Sequence, residues 1–463
     1  MASTPGHPVT RPIWIPAKYQ ADDVEAFVQM EYGACFNDMG LGKTSTYLEV
    51  FRRLKEAGKV TNMLVVSSPK ILSATWPDEI DKWENFHKLT WTYLGGEAKL
   101  SHAKQQVDIY LCPFDSLVWL PAIRDTFDMV LIDESSKIKD PTTFRTKASM
   151  YLGERAKYRF ISSGTPAGEN AASNLYAQIK FLDRGQALGD RLGTFNRRYM
   201  VQVDRTKWVP RSGAVQEIAS RISHFVRRTT LEEAGIEMPP ISYETLEVEL
   251  PKAAMEKYEE LEAEMFLQLA EGRDVLSANA AVLTNHCRQV ANGAVYDAAH
   301  VPFEIHTAKL EALKKLYDEK VPLVICYEYQ HDKARILGAL GHHHPVIGGG
   351  MDAGEVRRVV KEWNAGKHRA ILLHPKSAAY GLNLQEIPAH VVFFSNPWSL
   401  DENVQLVARV YRRGQRFPVR CTRIIAKGTI DEVIASRVGE KAENQEELFR
   451  LLRAYLTDRK GRS

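Results

Sequence analysis

A chain of 463 residues, 44% apolar and 26% charged, is composed like an ordinary globular protein, which excludes disordered and fibrous classes and leaves room for two or three domains. Its net charge of +3 argues for no partner by itself, so a nucleic-acid contact has to be sought in where the charges lie. Nothing is apolar for long enough to span a bilayer, and the five scattered cysteines (Cys35, Cys112, Cys287, Cys326, Cys421) make no CxxC pair, so a cytoplasmic chain with no membrane partner and no structural metal is expected.

The segment Asn37-Asp38-Met39-Gly40-Leu41-Gly42-Lys43-Thr44 opens the informative part of the chain. Its glycines let backbone N–H groups turn toward an anion, and the helix-like stretch after it, Ser45 to Lys55, puts that anion at a helix N-terminus. Lys43 supplies a point charge for the β- and γ-phosphates and the Thr44 hydroxyl suits magnesium, although Asn37 stands where such loops usually begin with glycine. Apolar runs at Met63–Val66, Asp108–Leu111, Met129–Ile132 and Arg159–Ile161 read as buried strands of a parallel sheet. The third ends in Asp133-Glu134-Ser135-Ser136, about ninety residues beyond Lys43. A carboxylate at the C-terminal end of a parallel strand faces the ligand crevice, so Asp133 is suited to magnesium and Glu134 to orienting or deprotonating water.

From Arg184 to Arg228 the chain is rich in cations: Arg191, Arg197, Arg198, Arg205, Lys207, Arg211 and Arg221 against Asp190, Asp204 and Glu217. This stretch either grips a phosphate backbone or is a solvated surface. Pro239-Pro240 marks a break before a strand-like Tyr243–Leu250, and a helical stretch follows from Ala253 to about Val290. A second set of strands is expected at Leu323–Cys326, Ala370–Leu373, Val391–Phe394 and Thr422–Ile425. His342-His343-His344 precedes a proline in a loop, with no partner cluster to complete a metal site. Leu448, Leu451, Leu452, Tyr455 and Leu456 fall on one face of a terminal helix, expected to brace a lobe.

In their order these motifs resemble the SNF2 family of helicase superfamily 2, in its small stand-alone bacterial or phage form, over Tyr19 to about Ile434. Tyr19-Gln20 resembles the adenine-reading glutamine motif. Asp38 to Thr44 resembles motif I, and Asp133 to Ser136 motif II, with serines in place of the usual Ala-His that links to motif III. Ser163-Gly164-Thr165-Pro166 resembles motif III, and Lys376-Ser377-Ala378-Ala379-Tyr380-Gly381-Leu382-Asn383-Leu384 resembles motif V. Gln405, Arg409, Arg412, Gly414 and Gln415 resemble motif VI, Arg409 and Arg412 being expected on one face of a helix.

The resemblance implies an α/β fold of two RecA-like lobes, each a mainly parallel sheet with flanking helices, plus helical insertions. Expected boundaries are 1–240 for the ATP-binding lobe with its basic insertion at about 184–228, 241–300 for a linker and helical insertion, 301–440 for the second lobe, and 441–463 for the brace helix. It implies ATP and Mg2+, with Gln20, Gly40, Gly42, Lys43, Thr44, Gly381 and Gln405 around the nucleotide. Lys43, Asp133, Glu134, Arg409 and Arg412 are the catalytic candidates, with Thr44 and Asp133 on the metal. The expected activity is a monomeric, DNA-dependent ATPase that moves along double-stranded DNA and remodels it or its bound proteins, in a bacterial or phage-infected cytoplasm. Ser68, Lys70, Thr165, Arg197, Arg198, Lys376 and Ser377 are candidate DNA contacts. The alternatives are a strand-separating helicase on DNA or RNA and a degenerate ATPase serving as a nucleic-acid-binding scaffold.

Overall fold

The uninterrupted apolar runs are the inner strands of two parallel sheets, each covered on both faces. The computed structural model describes residues 11–167, 171–203, 208–270, 274–297, 299–380, 382–440 and 442–443, side chains excepted at 171, 265–281, 353 and 378–380. They form two compact units, one of the residues up to Ile236 together with Glu443, and one spanning Glu237–Ala442.

In the first unit the strands are β1 (Tyr32–Cys35), β2 (Met63–Ser67), β3 (Trp91–Tyr93), β4 (Ile109–Pro113), β5 (Met129–Asp133), β6 (Tyr158–Ser162), the hairpin β7 (Met200–Gln202) and β8 (Trp208–Pro210), and β9 (Val226–Arg227). Apart from the hairpin they make one sheet in the order β3-β4-β2-β5-β6-β1-β9, every pair parallel. Side-chain alternation along β5 defines the layers. Met129 and Leu131 pack with Tyr47, Leu48, Phe51 and Leu54 of the helix Lys43–Glu56, while Val130 and Ile132 pack with Leu175, Ile179 and Leu182 of the helix Ala171–Asp183. Each four- to five-residue strand thus serves two cores, which is why its sequence lacks polar alternation.

The second unit contains β10 (Ile241–Val248), the hairpin β11 (Ala294–Tyr296) and β12 (Pro302–Glu304), then β13 (Leu323–Cys326), β14 (Val346–Ile347), β15 (Ala370–Leu373), β16 (His390–Phe393) and β17 (Val419–Ala426). Its parallel sheet runs β10-β17-β16-β13-β15-β14. Val324 and Cys326 pack against Trp363 on one face, and Leu323 and Ile325 against Leu313 and Ile336 on the other. Two sheets with helices on both faces are the two RecA-like lobes that the sequence implies.

Several segments differ in detail. The strand expected at Tyr243–Leu250 runs over Ile241–Val248 and is the edge strand of the second sheet, within the span 241–300 set apart as linker and helical insertion; Pro240 cannot donate to a ladder, but its carbonyl accepts from Val419 N at 3.0 Å. The single helical stretch expected from Ala253 comprises two helices, Lys252–Ala270 and Asp274–Asn292. The basic segment is tied into the first core: Phe195 lies 4.8 Å from Tyr176 and 5.0 Å from Tyr199 between ring centroids. Its members Arg205 and Lys207, and the terminal helix expected around Leu448–Leu456, lie outside the described residues. All five cysteines are buried and free, and no helix among the described residues is long and apolar enough to cross a membrane.

Inside the second unit a buried polar network joins several elements. Lys309 Nζ pairs with Asp431 Oδ2 at 2.5 Å and donates to Asn292 Oδ1 at 2.8 Å. Asn292 in turn donates to Asp332 and Ser395, and Asn396 donates to Asp431. A lysine with no exposed side-chain surface is tolerable only with such partners.

Candidate nucleotide site

The register of the first sheet puts the loop and the carboxylates side by side. Cys35 at the end of β1 and Asp133 at the end of β5 both face Ser162 of β6 across one row. Residues 36–42 therefore leave the same edge as Asp133, with only β6 between them. The helix Lys18–Val28, here α1, and the helix Lys43–Glu56, here α2, hold that loop between them. Gly40 and Gly42 have φ of 83° and 68°, the left-handed region that L side chains avoid. Gly42 is the N-cap of α2, and a Cβ there would sit 2.6 Å from Gln20 Nε2. Gln20 is buried; its amide donates to Leu41 O at 3.3 Å and Gly42 O at 3.5 Å, while its carbonyl oxygen accepts from Ala17 N at 3.0 Å. Lys43 Nζ reaches back over the loop to Asn37 O at 2.8 Å and Asp38 O at 3.0 Å.

Asn37, in the place of the usual glycine, braces the loop to α1. Its amide donates to Asp23 Oδ2 at 2.7 Å, and Asp23 Oδ1 accepts from Arg227 Nε at 2.9 Å. Burial pushes the Asp23 carboxyl above its ordinary range, against the pull of Arg227. Next door, Asp38 pairs with Arg228 at 2.6 Å and accepts from Leu231 N at 3.0 Å.

Asp133 accepts from Trp76 Nε1 at 3.1 Å. Burial raises its pKa, while Trp76 and the charge of Lys43 oppose that rise, so the cation and the carboxylate share one field. Glu134 has φ 65° and ψ 54°, a left-handed non-glycine conformation costing about 1–3 kcal/mol that is concentrated at functional sites. Ser135 is fully buried and donates to Gln178 Oε1 at 2.6 Å. Gly164 packs on the loop, where a Cβ would meet Met39 Cγ at 3.0 Å. The donor set fits a magnesium–triphosphate: a helix N-terminus opened by a left-handed glycine, a lysine, a threonine hydroxyl at Thr44 and one carboxylate.

In the second unit, Gln405 lies on the helix Leu400–Val407 and donates to Asp401 Oδ1 at 3.1 Å. Arg409 and Arg412 do not share a helix face. The helix ends at Val407, and the chain continues through turns that put Gly414 at φ 96°. Arg409 Nε donates to Gln405 O at 3.1 Å, and Arg412 donates to Leu382 O at 3.2 Å, its burial lowering its pKa. Gly381 lies outside the described residues.

The candidate DNA contacts divide by exposure. Lys376 and Arg197 are exposed, whereas Thr165 and Ser377 are only 1% and 2% exposed. Ser68 and Lys70 follow β2; burial lowers the Lys70 pKa to about 8. Arg198, Arg211 and Arg221 all converge on Glu217, at 2.6, 2.6 and 3.2 Å. Sequence reasoning missed Trp76, Asp23, Arg227 as a loop brace, and Gln178, none of which lies in one of the short motifs.

Comparison with known proteins bears on this geometry. Residues 19–294 match the SNF2-related domain, and residues 308–414 match the helicase conserved C-terminal domain. Protein p41 of Acyrthosiphon pisum secondary endosymbiont phage 1 is 30% identical, over 95% of this chain and 98% of its own length. YwqA of Bacillus subtilis, named as an ATP-dependent helicase/translocase, is 24% identical over 87% of this chain and 45% of its own. The human DNA repair and recombination protein RAD54B is 23% identical over 87% of this chain and 50% of its own. The chain thus spans about half the length of these last two. The Sulfolobus solfataricus SWI2/SNF2 ATPase core in complex with dsDNA aligns over 96% of this chain and 99% of its own, with a TM-score of 0.47 at 20% identity.

Proposed function

Because the chain belongs to the SNF2-related family of helicase-like ATPases, we propose that it is a DNA-dependent ATPase that translocates on double-stranded DNA without obligatory strand separation. One observation carries the ATPase part of this reading: the glycine loop before Lys43 and the Asp133-Glu134 pair leave the same edge of one parallel sheet, in one row with Ser162.

In this reading the N-terminus of α2 and Lys43 hold the phosphates, and Gln20 borders the adenine. Thr44 and Asp133 would hold magnesium, Asp133 through water. The metal supplies charge neutralisation between the phosphates. Glu134 orients the attacking water and takes its proton as the water oxygen bonds to the terminal phosphorus and the bond to the bridging oxygen breaks. Arg409 and Arg412 of the second unit are read as the groups that stabilise charge on the transferring phosphoryl group. In related phosphoryl-transfer enzymes such an arginine is worth roughly three to five orders of magnitude in turnover. Opening after hydrolysis, with each lobe gripping backbone phosphates in alternation, gives directed movement.

Double-stranded DNA as the track is supported by the family and by relatives named as DNA repair and recombination proteins. Remodelling of DNA-bound proteins, monomeric action and a bacterial or phage-infected cytoplasm belong to the same proposal. The test measures ATP turnover with no nucleic acid, single strands, duplex DNA and RNA, beside triplex displacement and unwinding of a tailed duplex. Activation by duplex, triplex displacement, and loss of turnover in Glu134→Gln are expected. Efficient unwinding would favour a strand-separating helicase, and equal background rates for wild type and Glu134→Gln would leave a scaffold.

A further inference from the structure

The residue after Glu134 begins a buried hydrogen-bonded line that ends beside Thr165. Ser135 Oγ donates to Gln178 Oε1 at 2.6 Å, and Gln178 Nε2 donates to Pro166 O and to Asn174 O, each at 2.7 Å. Ser135 and Gln178 are both 0% exposed. Gln178 lies on the helix Ala171–Asp183 beside Ala177, Leu175 and Ile179, which belong to the apolar core. An apolar side chain would fill that position without a desolvation penalty, so a glutamine there is explained by what it joins. Ser136, where the resembled family has its linking histidine, has no partner for its buried hydroxyl among the described residues; the connection leaves from Ser135 instead.

The two ends of the line matter to the chemistry. At one end, Ser135 fixes the chain immediately after the left-handed Glu134, and so the direction in which that carboxylate leaves the sheet edge. At the other, the 163–166 segment touches the phosphate loop through Gly164 and Met39. We infer that Gln178 is a positioning residue that, through Ser135, fixes the Glu134 carboxylate against the 163–166 segment packed on the glycine loop, and so sets the direction from which the hydrolytic water is held. This deepens the DNA-dependent ATPase reading and rests on it.

The test uses the full chain with Ser135→Ala, Gln178→Met, Gln178→Glu and the Ser135→Ala/Gln178→Met double variant. For each, kcat and the KM for ATP are measured with and without duplex DNA, beside the thermal midpoint. Each single variant should lose about tenfold or more of the duplex-activated kcat, the size found for supporting partners of catalytic groups, with the KM unmoved. Gln178→Glu, which can accept from Ser135 but not donate to Pro166, should fall with Gln178→Met. The double variant should be no slower than the slower single, because both act through one line. Ser135→Ala removes one hydroxyl only and carries the test if Gln178→Met does not fold. Wild-type-like activated turnover in Ser135→Ala, or losses that multiply in the double variant, would overturn the inference while leaving the ATPase reading intact. A wild type with no turnover would overturn both.

Discussion

Replacing Gly42 by alanine tests the phosphate loop with a control from the same helix. Gly42 stands at the start of α2 with φ 68°, and Gly58 follows its end with φ 67°, so alanine meets nearly the same backbone strain at both, about 1–2 kcal/mol. Around Gly58 a Cβ meets nothing within 4 Å; at Gly42 it lies 2.6 Å from Gln20 Nε2. The Gln20 amide can swing aside, but it then gives up its bonds to Leu41 O and Gly42 O, about 0.5–1 kcal/mol each at these long distances. Without an anion the loop relieves the strain by moving, so the cost falls on nucleotide binding, which needs the N–H groups where they stand. Gly42→Ala should therefore weaken ATP binding by about 2–4 kcal/mol, roughly 30- to 700-fold at 1.4 kcal/mol per decade. Gly58→Ala should lose stability by a similar strain and leave ATP binding as it was. A fluorescent-nucleotide titration beside thermal unfolding separates the two. If Gly42→Ala binds as tightly as Gly58→Ala, the loop does not cradle phosphates in this conformation.

Three further outcomes are expected. Lys70 is charged below its pKa of about 8, so duplex affinity should decline as pH rises through that value; Lys70→Arg should flatten the decline, Lys70→Met should bind weakly at every pH with a salt slope smaller by about one unit, and identical pH profiles for wild type and Lys70→Met would remove Lys70 from the interface. Lys309→Met leaves Asp431 buried without its cation and should cost about 3–5 kcal/mol in the denaturant unfolding of the second unit; a loss below about 1 kcal/mol would mean that the network relaxes. Glu217→Gln releases Arg198, Arg211 and Arg221 from a shared carboxylate, so duplex affinity should rise and its salt dependence steepen, as filter binding across salt concentrations would show; unchanged affinity would make the basic segment a surface only.

The inner strands were legible because burial on both faces removes alternation, as along Met129–Ile132. β1 was not, since Tyr32-Gly33-Ala34-Cys35 carries no strong apolar run. It is a strand because β6 and β9 pair with it on either side, and Gly33 lets Phe27 approach to within 2.8 Å of a Cβ position. Lys43, Thr44, Asp133 and Glu134 were singled out because each belongs to a short contiguous motif. Their supports could not, since they come from far along the chain: Arg227 reaches Asp23 across 204 residues, and Trp76 reaches Asp133 across 57. The helix assumed for Arg409 and Arg412 failed for a local reason, the last helical residue being Val407.

β9 and the residues after it carry a practical consequence. The first sheet is completed, and its glycine loop pinned by Arg227, Arg228 and the backbone of Leu231, only in the last stretch before the chain crosses at Ile236 into its other half. A truncated fragment meant to bind nucleotide alone must therefore run past Leu231; one cut at the end of the helix Ala214–Ile222 would keep every residue of the Lys43 motif yet lack the strand and guanidinium groups that hold it in shape.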